Sequence, residues 1–227
     1  MNKLNHVAFI MDGNGRWGLK KKRSRNYGHL KGVNTVQKVV KFSIKLKVPI
    51  ITFYVFSTEN WRRPKTEINF LFNLINAYFN KEIKNVINNG IKINIMGRIS
   101  QLPKKIKKVL NDTIKKTANN KKITVNLAIN YGSKQEISEA FINIYKKKKK
   151  TRISEKLIEN NLYTKSLPNP DILVRTGGQK RLSNFMLWQL AYSELYFLNK
   201  LWPDFNEKDY NIIIKKFKKI KRNFGNV

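Results

Sequence analysis

Six short apolar runs, separated by stretches of helical periodicity, constrain this chain more than any other feature. The runs fall at residues 6–11, 49–56, 91–96, 123–129, 171–174 and 194–198. They are short and mainly apolar, which is the pattern of buried strands. Between them, Val33, Val36, Val39, Val40 and Ile44 follow helical spacing, as do Phe70, Leu71, Leu74, Ile75, Tyr78 and Phe79. Segments 102–118 and 134–145 are two further helix candidates. Strands that alternate with helices predict an α/β fold, with a central, largely parallel six-stranded sheet flanked by helices in a single domain over 1–227. There is no internal repeat. The lysine-rich stretch 146–152 has no Pro, Gly or Ser enrichment and reads as a charged surface loop.

Ligands of such sheets collect beyond the carboxyl ends of the strands, and three polar loops are expected there. The first follows the first run: His6-Val7-Ala8-Phe9-Ile10-Met11-Asp12-Gly13-Asn14-Gly15-Arg16-Trp17. A loop built this way offers backbone N–H groups, a cation and an acid able to hold a metal, which suits a diphosphate. The alternative is an ordinary glycine turn. Asp12 is the only acid among Arg16, Arg23, Arg25 and lysines 20–22, so it is expected as an ion pair or a metal ligand. Arg16 and Arg25 suit forked contacts to phosphate oxygens. His29 lies four residues after Arg25 and would share a helix face with it. It would reach a phosphate there, although an isolated His is more often structural.

The second loop, Ser57-Thr58-Glu59-Asn60-Trp61-Arg62-Arg63-Pro64, is too polar for a core. One reading is a lid, with Arg63 facing a phosphate and Trp61 closing over an apolar tail. The other is a loop whose Trp is simply packed. Pro64 and Glu67 mark the start of the next helix. The third loop, Arg175-Thr176-Gly177-Gly178 with Arg181 and Ser183, supplies two guanidiniums, a glycine pair and a hydroxyl for phosphate, without a Walker lysine. Glu194 sits in an otherwise apolar stretch and is either paired with an arginine or holds a metal.

Composition narrows the chemistry. The 227 residues include no cysteine, which excludes disulfides, thiolate metal sites and a cysteine nucleophile. With two histidines, oxygen-ligated Mg²⁺ is the natural metal. The first strand begins too early to leave room for a signal peptide, and no apolar stretch is long enough to span a bilayer. A cytoplasmic location is expected. The net charge of +33 favours anionic partners. The lysines are scattered in many short clusters, which suits solvated helix faces better than one nucleic-acid patch. No nucleic-acid module is present, so no specific nucleic acid is expected.

Taken together, these segments resemble the cis-prenyltransferases, in particular their bacterial undecaprenyl diphosphate-forming branch. The matching pieces are H-V-A-F-I-M-D-G-N-G-R-W, R-N-Y-G-H, F-S-T-E-N-W-R-R-P, N-Y-G-S, D-I-L-V-R-T-G-G, R-L-S-N-F-M-L-W-Q-L-A-Y-S-E-L-Y-F and L-W-P-D-F, in the family's order from His6 to Phe205. The resemblance implies a hydrophobic tunnel, a homodimer, and Mg²⁺-dependent addition of isopentenyl diphosphate to an allylic diphosphate, usually farnesyl diphosphate. Each addition forms a cis double bond, and the long product is the undecaprenyl carrier lipid of cell-wall synthesis. Asp12 then corresponds to the essential aspartate that handles Mg²⁺ and diphosphates. Gly13, Asn14, Gly15 and Arg16 would hold the allylic diphosphate together with Arg25 and His29, with Trp17 beside them. Ser57, Thr58, Glu59, Trp61 and Arg63 would close over substrate. Asn60 stands where the family places proton removal; an uncharged amide is a poor base, so it is read as orienting water, substrate or pyrophosphate. Arg175, Arg181, Leu182 and Ser183 match the isopentenyl diphosphate site, and Glu194 a metal ligand. Residues along 70–79 and 91–96 are candidate tunnel walls, though core packing explains most of them.

Some positions depart from the family pattern. Gln179-Lys180 replace Glu-His, and Arg98 follows Gly97 where Asp is common. Asn223-Phe224-Gly225 replace Arg-x-Gly, with Arg222 displaced by one position. The basic surface suits peripheral contact with anionic lipid near the inner face of a membrane. A catalytically inactive binding subunit is the rival from another class, but such members usually lose the aspartate or arginines that this chain keeps.

Overall fold

The structure, a computed structural model, describes residues 2–21, 23–146 and 152–222. Most of the 146–152 stretch and Asn223–Gly225 lie outside the described residues. All six apolar runs are strands: β1 (His6–Ile10), β2 (Ile50–Ser57), β3 (Ile91–Met96), β4 (Ile123–Tyr131), β5 (Ile172–Arg175) and β6 (Glu194–Phe197). They form one sheet in the order β3-β4-β2-β1-β5-β6, with every pairing parallel. The chain leaves β1 toward β2 and leaves β5 toward β6, so its direction of winding switches between β1 and β5. That switch is where an open α/β sheet forms a crevice.

Alternation along the strands sorts the core. Val7, Phe9, Ile51 and Phe53 face one layer, and Ala8, Ile10, Ala128 and Leu173 the other. The first face is covered by α2 (Arg25–Lys45), α3 (Lys65–Asn88), α4 (Lys104–Thr117) and α7 (Glu207–Lys219). Segment 182–190 covers the second face, beside α5 (Ser133–Lys146) and α6 (Glu155–Glu159). Phe9 stacks on Phe53 at 5.3 Å and meets Trp202, Phe205 and Tyr210 edge-on. Each such pair adds roughly 0.5–1.5 kcal/mol beyond its buried area. The cluster therefore fixes Trp202 rigidly, and Trp202 in turn fixes the loop after β1.

Three expectations change. Residues 13–17 are not an open loop: Gly13 is left-handed (φ 107°) and starts a short helix, α1 (Asn14–Lys20). The Gly-Asn-Gly sequence reads locally as a turn, but α1 is held by tertiary packing on α2. A Cβ at Gly28 would lie 1.9 Å from the Asn14 carbonyl oxygen, and one at Gly18 2.2 Å from the Ser24 oxygen. The glycines allow the two helices to approach backbone to backbone. β4 runs on to Tyr131 because Asn130 and Tyr131, although polar, are buried there. Helix α7, capped by Asn206 and Asp209 on each other's backbone, was not expected from the sequence.

Between α2, α3 and the sheet lies an elongated cavity of about 500 Å³. Val33, Val36, Leu71, Leu74, Ile75 and Tyr78 line its length, over a floor that includes Phe56, Ile93 and Leu127. Met11, Asn14 and His29 stand at one end and Asn85, Asn89 and Ile91 at the other. From His29 to Ile44, both lining residues, α2 covers about 22 Å at 1.5 Å per residue. The expected tunnel walls on α3 and β3 thus divide: Leu71, Leu74, Ile75, Ile91 and Ile93 face the cavity, whereas Phe72 and Met96 are packed core.

Candidate active site

Asp12 stands just beyond β1 at the winding switch. Its peptide carbonyl accepts from the Trp202 N–H (3.0 Å) and the Thr176 hydroxyl (2.7 Å), which pins the backbone. Its carboxylate is 28% exposed and lies between two guanidiniums, Arg16 Nη2 at 3.1 Å and Arg175 Nη2 at 2.9 Å. Arg175 ends β5, the strand beside β1, and is almost fully buried. It also donates to the Ser183 hydroxyl (2.8 Å) and the Arg181 carbonyl, while its Nε is buried without a partner. The ion-pair reading of Asp12 holds, but its main buried partner is Arg175, 163 residues away, and not Arg25.

Arg25 belongs to a second cluster, organised by Glu67. The Glu67 carboxylate, itself buried, accepts from Arg25 Nε (3.1 Å) and Arg63 Nη1 (3.0 Å) and lies 3.3 Å from His29 Nε2. Burial pushes the Glu67 carboxyl up, but Arg25, Arg63 and His29 outweigh it and leave it below its ordinary range. Burial lowers the His29 imidazole despite Glu67 beside it. A carboxylate only accepts, so the Nε2 proton points at Glu67, and this nitrogen of His29 is not free for a phosphate. The Glu67 hub was missed from the sequence, where it read only as a first-turn acid of α3. Gly15 leaves the space filled by the Arg25 guanidinium, since a Cβ there would lie 2.8 Å from its central carbon.

Segment 57–63 is a 3₁₀ turn, Thr58–Arg62, leading into α3. Trp61 packs one side on Phe56 and Phe72 and donates to Asn130 Oδ1 (2.8 Å), while 40% of it stays exposed. The Asn60 amide oxygen accepts from the Ser57 N–H (3.1 Å), a local cap that leaves its amide nitrogen for other contacts. Glu59 accepts from Asn184 Nδ2 (2.8 Å). Burial raises the Glu59 carboxyl, but hydrogen bonds from Asn184, its own backbone, Ser57 and Thr58 leave it lowered.

Several of the expected site residues have partners within the protein. The Gly177 and Gly178 N–H groups are spent on the Lys200 and Leu198 carbonyls and form no phosphate cradle. What Gly177 (φ 87°) supplies is room: a Cβ would lie 2.5 Å from Arg16 and 3.0 Å from Asp12. Trp17 donates to Asp204 (2.7 Å) and stacks on Tyr27, a brace between α1 and the L-W-P-D-F segment. Leu182 packs beside the apolar cluster on the second face of the sheet. Arg181 is exposed and bonded to the Gln179 amide oxygen (2.6 Å), so the Gln that departs from the family pattern orients Arg181 without neutralising it. Arg98 pairs with Glu139, away from Asp12.

Glu194 does not join Asp12 within the chain. It opens β6 in register with Ile172, whereas Asp12 lies beyond the Ile10–Arg175–Phe197 level. Three residues of strand separate those levels by about 10 Å. Its partner is Arg222 at 4.0 Å, and Arg222 also pairs with Asp171 at 3.2 Å. The reason is register: parallel strands place the start of β6 at the opposite edge of the sheet. Among the described residues no three His, Cys, Asp or Glu side chains gather into a metal cage. Asp12 alone still suits Mg²⁺, which binds through one or two carboxylates and takes its other ligands from water and substrate phosphates.

The comparisons agree with this geometry. Residues 10–225 match the prenyltransferase family model described as "Putative undecaprenyl diphosphate synthase". An isoprenyl transferase of Rickettsia bellii is 45% identical over 225 residues, covering 99% of both chains. One from Fusobacterium nucleatum is 43% identical over 222 residues, covering 98% of this chain and 96% of the relative. Among solved structures, lavandulyl diphosphate synthase from Lavandula x intermedia, in complex with dimethylallyl diphosphate, superposes with a TM-score of 0.94 at 31% identity over 98% of both chains. A "probable undecaprenyl diphosphate synthase" from Campylobacter jejuni gives 0.84 at 34% identity, covering 99% of this chain and 100% of that one. The fold around this crevice is thus shared with these solved structures, and the chain belongs to the undecaprenyl diphosphate synthase family of prenyltransferases.

Proposed function

We propose that the chain, acting as one domain, elongates an allylic diphosphate, farnesyl diphosphate in the first instance, with successive isopentenyl units in cis, making the long polyprenyl carrier lipid of a cell wall. The observation that carries this reading is the cavity's construction: apolar along its length, with Asn14 and His29 at one end and the Arg25–Arg63–Glu67 cluster held against His29. A prenyl chain would lie in the cavity and its diphosphate at that cationic end.

In this reading Arg16, Arg25 and Arg63 receive the allylic diphosphate, and Arg175, Arg181 and Ser183 the isopentenyl diphosphate. Breaking the allylic carbon–oxygen bond places charge on the departing diphosphate. Donors already aimed at that charge lower the barrier, roughly 3 kcal/mol for one well-placed group. Mg²⁺ bound by Asp12 with diphosphate oxygens and water would supply further neutralisation of that charge. The apolar walls keep water from the allylic cation. Asn60 orients the isopentenyl unit or the released pyrophosphate, which is the better proton acceptor.

The reading includes a homodimer and salt-sensitive contact of the basic surface with anionic lipid. Among the described residues no helix is long and apolar enough to cross a membrane. Incubation with farnesyl diphosphate, labelled isopentenyl diphosphate and Mg²⁺, with products resolved by length, tests the reaction. A ladder ending near ~C55 supports the carrier-lipid role, since that is the undecaprenyl length the resemblance implies. A ladder of another length keeps the chemistry and removes that role. No incorporation with farnesyl, geranyl or dimethylallyl starters moves the inactive-subunit reading forward.

A further inference from the structure

Three of the five non-glycine residues with positive φ among the described residues fall within four positions: Ser183 (50°), Asn184 (61°) and Met186 (47°). Left-handed backbone at Ser and Met is strained and persists only where surrounding contacts over-determine it; such clusters concentrate at functional sites. The contacts here are specific. The Ser183 hydroxyl accepts from Arg175, and its carbonyl from the Tyr54 hydroxyl (3.3 Å). The Asn184 carbonyl accepts from the Ser133 N–H and its Oδ1 from the Lys134 N–H, both at 2.8 Å, which anchors the turn to the start of α5. The remaining group, Asn184 Nδ2, donates to Glu59 Oε1 at 2.8 Å. The amide cannot be turned over, because that would set its oxygen against the Glu59 carboxylate and its nitrogen against the Lys134 N–H.

Two adjacent residues therefore serve two loops. Ser183 touches Arg175 and lies in the loop read above as the isopentenyl diphosphate site. Asn184, one peptide away, holds Glu59 in the segment read as closing over the other substrate. The fit there is tight, since a Cβ at Gly132 would lie 2.6 Å from Thr58 Oγ1 and 2.7 Å from Asn184 Nδ2. A second left-handed asparagine, Asn130 (φ 51°), holds Trp61 of the same segment, but it reaches back to Arg98 and Gln101 and not to the Arg175 loop. Asn184 is thus a direct link between the two loops, beside the Tyr54 hydroxyl, which touches the Ser183 carbonyl and Ser57.

We propose that Asn184 is a positioning residue that couples the two substrate sites: a diphosphate seated on Arg175, Arg181 and Ser183 shifts the strained Ser183 peptide, and the Asn184–Glu59 hydrogen bond passes that shift to segment 57–63. The proposal rests on the site assignment under Proposed function. Coupling of this kind is reciprocal in binding, so each substrate raises the affinity for the other by the same factor.

The test measures the Kd for isopentenyl diphosphate without and with saturating farnesyl thiodiphosphate, an unreactive stand-in for farnesyl diphosphate, in the wild type, Asn184→Asp, Glu59→Gln and the double variant. Asn184→Asp keeps the acceptor for Lys134 and replaces the donor with an oxygen facing Glu59. The wild type is expected to show a Kd ratio of about 5 to 10 between the two conditions. Asn184→Asp brings that ratio close to 1 with an unchanged melting temperature, and adding Glu59→Gln restores a donor across the gap and most of the ratio. If Asn184→Asp folds poorly, Asn184→Gly accepts the positive φ, lacks the donor and carries the same expectation. A wild-type ratio of 1, or a wild-type ratio retained in Asn184→Asp, overturns the proposal. Arg175→Ala, assayed in parallel, separates the two claims. If it leaves the isopentenyl diphosphate Kd unchanged, the site assignment falls and the proposal with it. If it raises that Kd while Asn184→Asp keeps the coupling, the proposal alone falls.

Discussion

Gly28→Ala sets two opposing effects of known size against each other. Gly28 is inside α2, where alanine is intrinsically favoured over glycine by about 1 kcal/mol. Propensity alone predicts a stabilised protein. The added Cβ, however, would lie 1.9 Å from the Asn14 carbonyl oxygen, against about 3.4 Å for ordinary contact, so α1 must retreat by about 1.5 Å. The obstacle is backbone and cannot rotate aside. Overpacking of this kind costs about 1–3 kcal/mol, and a clash with backbone belongs at the upper end. The net is a loss of about 2 kcal/mol, or a melting temperature lower by about 4–8 °C for a chain of this size. The larger effect is on function, because Asn14 and Arg16 ride on α1. A misplacement of about 1 Å in catalytic geometry costs on the order of 100-fold in rate. Thermal unfolding and steady-state kcat/KM measure the two losses. A higher melting temperature with unchanged kcat/KM would refute the claim that close α1–α2 contact positions the crevice.

Glu67→Gln removes the charge that gathers Arg25, Arg63 and His29, so the KM for the allylic diphosphate should rise about tenfold while the fold survives, since buried charge-assisted contacts of this kind contribute roughly 1.5–3 kcal/mol; an unchanged KM would remove the hub from the account. Burial of His6 against Pro168 and Thr52 pushes its imidazole down from 6.5 to about 4. Between those values the unfolded chain binds the proton and the folded chain does not, so stability falls as pH drops through the window, by up to about 1.4 kcal/mol per unit. Urea unfolding at pH 7 and pH 5 should show the wild type losing about 2 kcal/mol more than His6→Gln, and parallel losses would contradict the assignment. Ile75→Trp narrows the cavity and should shift the product ladder to shorter chains; an unaltered ladder would place the growing chain elsewhere.

The strands were legible because a parallel sheet covered on both faces demands apolar runs, and the runs at 6–11 and 49–56 are little else, while 91–96, at the sheet edge, interleaves Lys92 and Asn94 with apolar residues. Their order was not legible, because nothing local in the sequence says that β5 lies beside β1. The same limit governed the site. Asp12 read as the key acid from its own loop, but its buried partner Arg175 arrives through the sheet. Glu67 looked like a helix-start acid until α2 brought Arg25 and His29 to it. The glycine pair at 177–178 read as a phosphate cradle because sequence does not reveal that both N–H groups are already bonded. Asn184 sat unremarked within a recognised motif, and only its positive φ and its contact with Glu59 single it out.

The central claim is that the Asp12 crevice carries prenyl transfer, and Asp12→Asn tests it most directly. The substitution preserves shape, can still accept from Arg175, and removes the charge shared by Arg16 and Arg175. With farnesyl diphosphate, labelled isopentenyl diphosphate and Mg²⁺, the wild type should build a product ladder, while the variant still unfolds cooperatively above the assay temperature and incorporates label at least about 1000-fold more slowly, a barrier increase of about 4 kcal/mol. Near-normal incorporation by the folded variant would contradict the account and place the chemistry elsewhere in the molecule.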